Sequence, residues 1–156
     1  MPNYWLMKSE PGVFSIDDLA NCPNQTEHWD GVRNYQARNM MRDQMHKGDL
    51  VFFYHSSCKN TGIAGIAKVV KEAYPDHTAL DPDSAYFDPK STVDNPRWFM
   101  VDIRFVEKFT HLVSLQHLKE NPLLKDLPLV QRGSRLSIMP VAEKQWNEIL
   151  AMVPGR

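Results

Sequence analysis

In Trp29-Asp30-Gly31-Val32-Arg33-Asn34 an aromatic ring, a guanidinium and a carboxamide stand within one short stretch. Trp29 falls outside any periodic segment, and Gly31 permits backbone conformations that other residues avoid. Arg33 and Asn34 precede a helical pattern, where free N–H groups attract anions and carbonyl oxygens. Such a set can stack on a base and hydrogen-bond its edge. The plainer alternative is that Trp29 plugs the end of a barrel and Asn34 only caps the helix. Two strand ends offer further polar groups: Lys8-Ser9, and Tyr54-His55-Ser56-Ser57. Both suit the mouth of a cavity, and both also read as ordinary strand ends entering solvent. In Gln131-Arg132-Gly133-Ser134-Arg135 two arginines flank a glycine ahead of a strand, a pattern fit for phosphate contacts or for a solvated basic loop.

Other chemistries find less support. His55 and Cys58 have the spacing of a ligand pair, but no second pair matches it and structural zinc takes four ligands. No metal and no cofactor is expected. A Ser9 or Cys58 nucleophile with His55 as base lacks any Gly-x-Ser-x-Gly elbow, and there is no Gly-rich phosphate loop. No catalytic residue is assigned.

These residues need elements to hold them. Asn3 to Lys8 reads as a buried strand, and Ser15 caps a short helix from Ile16 to Ala20. From Asn21 to Val32 there is no periodicity, which predicts a loop. Asn34 caps a helix from Tyr35 to about Met45, with Ala37, Met40, Met41 and Met45 on one face. Leu50 to His55 is apolar on both faces, as in a central barrel strand. Ile63 to Tyr74 follows, with Gly65 marking a bulge or a close approach of backbone. The Asp- and Pro-rich stretch from Pro75 to Pro96 predicts a long polar excursion. Trp98 to Phe109 alternates as a strand, Ser114 caps a helix to Lys119, and Leu136 to Met139 is a last strand before a helix from about Ala142 to Met152. The expectation is one α+β domain over residues 3–153, a small β-barrel of five to six strands with short helices at the rim.

Composition sets the class. The 156 residues are 42% hydrophobic and 24% charged, enough apolar content for a core. Two cysteines and no apolar run of about 18 residues point to a reducing compartment without a membrane, so a cytoplasmic protein is expected. Net charge is −1, but it alternates along the chain: −4 over residues 1–30, +4 over 31–75, −4 over 76–94 and +3 over 95–156. A general polyanion binder carries a broad basic excess. Any grip on nucleic acid must here come from a local patch and a pocket.

Taken in order, several motifs resemble the EVE domain, a member of the PUA-like class. They are Tyr4-Trp5-Leu6-Met7-Lys8-Ser9-Glu10-Pro11, Trp29 through Asn39, Gly48 through Ser56, Gly62-Ile63-Ala64-Gly65, Trp98 with Val101-Asp102, and Arg135-Leu136-Ser137-Ile138 with Pro140-Val141. The resemblance covers about residues 3 to 153 and looks like the compact bacterial form. It implies a PUA-like barrel that binds DNA or RNA, with a modified base held at the barrel mouth. Carried over, the pocket would be lined by Lys8, Ser9, Trp29, Arg33, Asn34, Tyr54, His55 and Ser56, with Arg132 and Arg135 as phosphate contacts. Two other classes compete: a small nucleotide-acting hydrolase or transferase with His55 as general base, and an interaction protein whose pocket is a structural remnant. A reader returns its ligand unchanged, an enzyme does not, and the third binds none.

Overall fold

The structure is a computed structural model that describes residues 2–133 and 135–155. The apolar segments become six strands of one mixed sheet in the order β2-β5-β4-β3-β1-β6. These are β1 (Tyr4–Ser9), β2 (Thr26–His28), β3 (Leu50–His55), β4 (Gly62–Pro75), β5 (Phe99–Ser114) and β6 (Ile138–Val141). β1 runs parallel to β3, from Tyr4 opposite Leu50 to Ser9 opposite His55, and the other pairings are antiparallel. The parallel register brings Lys8-Ser9 and Tyr54-His55 to the same end of the sheet.

The expected barrel is corrected to an open sheet. Among the described residues its edges, β2 and β6, lie at opposite ends of the strand order and do not pair. The reason is visible in β1 and β3, whose successive side chains enter two different cores. Trp5, Met7, Val51 and Phe53 pack with Ile16, Leu19, Ala37 and Met41 from α1 (Ile16–Ala20) and α2 (Tyr35–Asp43). Leu6, Phe52 and Tyr54 pack on the opposite face with Leu118 of α3 (Leu115–Glu120) and Trp146 and Ile149 of α4 (Glu143–Met152). A strand apolar on both faces needs a layer of cover on each. Here helices supply both layers.

Local signals are realised where they are self-contained. Ser15 accepts from Asp18 N while Asp18 answers to Ser15 N, a reciprocal cap that starts α1. Asn34 caps α2 by accepting from Ala37 N at 3.0 Å. Gly65 sits beside a register shift in the β4–β5 pairing, and a side chain there would collide with the Glu107 carbonyl oxygen. The span read as a featureless loop holds β2. That strand has no buried alternating face and exists through its pairing with β5, Thr26 opposite Arg104 to His28 opposite Asp102. Buried Asp49 ties the chain start to the turn before β3, accepting from Asn3 N, Trp5 Nε1 and His46 N. Among the described residues no helix is long and apolar enough to cross a membrane.

Candidate functional site

A cleft of about 510 Å³ opens at the end of the sheet where β1 stops. One wall is Lys8, Ser9, Glu10, Val13 and Phe14; another is Glu27 to Arg33; Tyr86 and Ser137 complete it. Its size suits a nucleobase or nucleoside.

Each wall has an internal brace. The Ser9 hydroxyl donates to the Phe14 carbonyl at 2.5 Å, so toward any further partner its oxygen acts as an acceptor. Burial lowers the pKa of the Lys8 ammonium. Trp29 is only 9% exposed; its backbone N–H donates to Val101 O at 2.7 Å, and its ring meets Phe53 edge-on at 5.5 Å. Gly31 adopts φ 78°, and a Cβ there would lie 2.7–2.8 Å from the Tyr86 ring, so the ring closes over a position that only glycine fits.

The polar excursion after β4 is the third wall. Asp76 is fully buried and accepts from Gly31 N at 2.9 Å, Arg33 Nη1 at 3.1 Å, and Thr78 N at 2.8 Å. Arg33 also donates to the Tyr86 carbonyl through Nε at 3.0 Å and Nη2 at 2.6 Å, and to the Val32 carbonyl at 2.9 Å. Asp88 accepts from Trp98 Nε1 at 2.7 Å and pins the far end. Through Asp76 and the Tyr86 carbonyl the Asp-rich stretch is folded back onto Arg33.

The structure brings together part of the expected set. Lys8, Ser9, Trp29 and Arg33 line the cleft, although the Arg33 guanidinium is turned into the wall. Asn34, Tyr54, His55 and Ser56 are not among its lining residues. Asn34 spends its amide oxygen on the cap. Tyr54 points into the α3/α4 core and is 3% exposed, and burial raises its hydroxyl pKa. Ser56 N donates to the Ser9 carbonyl at 2.9 Å and so fixes the strand end. Arg132 and Arg135 are exposed on the turn before β6, two residues or more from lining Ser137; Ser134 between them lies outside the described residues. Sequence reasoning passed over Glu10, Phe14, Glu27, His28 and Tyr86. The alternating charge of residues 31–75 and 76–94 was the signal for the last wall.

His55 belongs to the scaffold. Its Nε2 accepts from Ile16 N at 3.1 Å, capping α1, and its ring packs edge-on against Phe53. An accepting Nε2 is unprotonated, and burial, opposed by Asp17, lowers the imidazole pKa below 6.5. The folded pKa is depressed, so this contact stabilises fully above about pH 6.5 and is lost as pH falls through the lower folded value. His55→Ala is expected to cost about 1 kcal/mol, as for a lost cap. Thermal melts of wild type and variant should converge on acidification. Among the described residues no group of three or more His, Cys, Asp or Glu side chains can hold a metal ion, and Cys22 and Cys58 are free thiols.

This α+β fold, an open mixed sheet with an aromatic, mixed-charge cleft, is the EVE type of domain. The chain belongs to that family: the EVE domain model matches residues 3–152. Thymocyte nuclear protein 1 of Danio rerio is 47% identical over 170 residues, covering 97% of this chain and 73% of its own. A crystal structure of a Pseudomonas syringae protein is 58% identical with TM-score 0.92, covering 96% of this chain and 98% of that one. Human THYN1, crystallised in complex with 5-methylcytosine-containing DNA, is 45% identical with TM-score 0.92 and covers 99% of both chains.

Proposed function

We propose that this protein is a binding module that reads a modified base in nucleic acid, 5-methylcytosine in DNA being the ligand class, with the base held in the cleft. The observation that carries the reading is the cleft itself, walled by Trp29, Phe14 and Tyr86 with Lys8 and Ser9 at its edge. The human relative crystallised with 5-methylcytosine-containing DNA supplies the ligand class. A duplex buries its bases, so the base must be flipped out or unpaired to enter. Lys8 offers a donor to a base carbonyl and Ser9 an acceptor to a base N–H. Catalysis is not part of the proposal, since His55 has its Nε2 engaged by Ile16 N–H and does not line the cleft. Arg132 and Arg135 remain the proposed phosphate contacts, on the strength of their exposure near Ser137.

The test is a binding screen of modified nucleosides and short oligonucleotides, followed by mass analysis of the recovered ligand. The expected result is selective binding of a 5-methylcytosine oligonucleotide returned unchanged. A converted ligand, or no preference for any modified base, sinks the reading. The salt dependence gives a second check. Arg33 is paired with Asp76 and Arg42 with Asp43, which removes two arginines from phosphate binding. The slope of log affinity against log salt should correspond to about two or three phosphates. A slope implying about eight contacts would place the nucleic acid in a broad groove instead.

A further inference from the structure

Most half-buried polar groups lining the cleft have an internal partner. Arg33 is bonded to Asp76 and Tyr86, Glu27 to His28 at 2.8 Å, and the Ser9 hydroxyl to Phe14. Asp30 differs. Its carboxylate has His28 Nε2 at 3.8 Å, beyond hydrogen-bond range, and it stands next to Trp29 on the cleft wall. With Glu10 and Glu27 also on the lining, a phosphate would be repelled there and a donor-rich base edge welcomed.

We propose that Asp30 is the residue that selects the base, by pairing with an amino group beside a bare ring nitrogen. Cytosine presents that edge: N4 donates and N3 accepts. Thymine is the informative contrast, because it shares the 5-methyl group and reverses the edge, with an N–H at N3 and a keto oxygen at C4. The cytosine N4–H donates to one Asp30 oxygen. The other oxygen and N3 are both acceptors, so the pair closes by taking up one proton from solvent, held between them. Against thymine, N3–H can donate to one oxygen, but the keto oxygen is a far weaker base than a ring nitrogen and meets the other lone pair to lone pair. Asp30 thus adds to the base-reading function proposed above a specific residue and a specific edge.

The surroundings favour proton uptake. Burial pushes the Asp30 carboxyl up; Asp76 and Glu27 add to this, while His28 and the residue's own backbone N–H oppose it. Beyond these, Arg33 is bonded to Asp76, His77 packs edge-on against His28, and Lys8 lies on the same cleft lining.

The test compares single-stranded oligonucleotides that differ at one position, 5-methylcytosine or thymine, on the full chain across a range of pH. Wild type is expected to prefer 5-methylcytosine by about ten- to hundredfold, the scale of one two-point base contact. Its affinity for that probe should rise as pH falls, by up to about tenfold per unit for one proton taken up. Asp30→Ala should bring the preference to within about twofold, while melting cooperatively. Asp30→Asn carries its own N–H, so it should bind 5-methylcytosine with a flat pH profile. A preference that survives Asp30→Ala overturns the assignment, as does a pH dependence that survives Asp30→Asn, which would belong to another group. Wild type that binds both probes equally leaves the cleft as a base pocket and overturns the role of Asp30. Wild type that binds neither overturns the base-reading function and this proposal together.

Discussion

Trp29→Ala is expected to destabilise the protein by about 3–5 kcal/mol and to abolish the shape of the cleft, rather than to weaken binding in an intact fold. The ring is 9% exposed and packs with Phe53, Met7 and Val101 in the α1/α2 core. Its truncation leaves a void that the surrounding strands cannot close. Urea unfolding monitored by far-UV circular dichroism measures the loss. A milder variant separates packing from recognition: Trp29→Phe keeps most of the apolar volume and should retain a cooperative transition. If stacking on Trp29 contributes to binding, Trp29→Phe should lower affinity for the 5-methylcytosine oligonucleotide more than it lowers stability. An unchanged unfolding midpoint in Trp29→Ala would contradict its place in the core.

Asp76→Ala is the second large effect, expected at about 3 kcal/mol, because it removes the carboxylate paired with the Arg33 guanidinium and leaves the Gly31 N–H without its acceptor. The carboxylate has no exposed side-chain surface, and it joins the loop ahead of α2 to the excursion that carries Tyr86. Burial alone would raise its pKa. Hydrogen bonds from Thr78, Gly31 and Arg33 outweigh that and hold it below 3.8. A depressed folded pKa means the contribution is complete above about pH 3.8 and is lost as pH falls through the folded value. Wild type should therefore lose stability on acidification that Asp76→Ala has already lost. The third wall of the cleft should open in the variant, so that proteolysis cuts between residues 76 and 98 faster than in wild type. Equal acid sensitivity and equal proteolysis in the two proteins would count against this clamp.

The sequence by itself determined what is local. Ser15 and Asp18, and Asn34 with Ala37, lie three residues apart, so each cap closes within one helical turn and needs no help from the fold. The apolar runs of β1 and β3 follow equally from near neighbours, whereas the Gly65 signal, a bulge or a close approach, is resolved only by the pairing of β4 with β5, which sets Gly65 against the Glu107 carbonyl. The opposition of Tyr54 and His55 is legible in the sequence as well: adjacent residues of a strand face opposite sides, so the two do not line one cavity. The β3 pattern of apolar residues on both faces fits a barrel strand and equally fits an open sheet covered on two faces. Only the tertiary structure decided which layers covered them. Arg33 and Asp76 are 43 residues apart, and Arg33 meets the Tyr86 carbonyl across 53. Nothing in the spacing of those residues says that the guanidinium turns away from the ligand and into a wall. Asp30 is left on the cleft lining for the same reason: Gly31 and Arg33 beside it are engaged by the distant Asp76, whereas among the described residues the Asp30 carboxylate has only its own backbone N–H and His28 at 3.8 Å. Caps and periodicity act over a turn or a pleat, whereas which polar groups stay unengaged depends on every segment that packs nearby, and only the folded chain fixes those together.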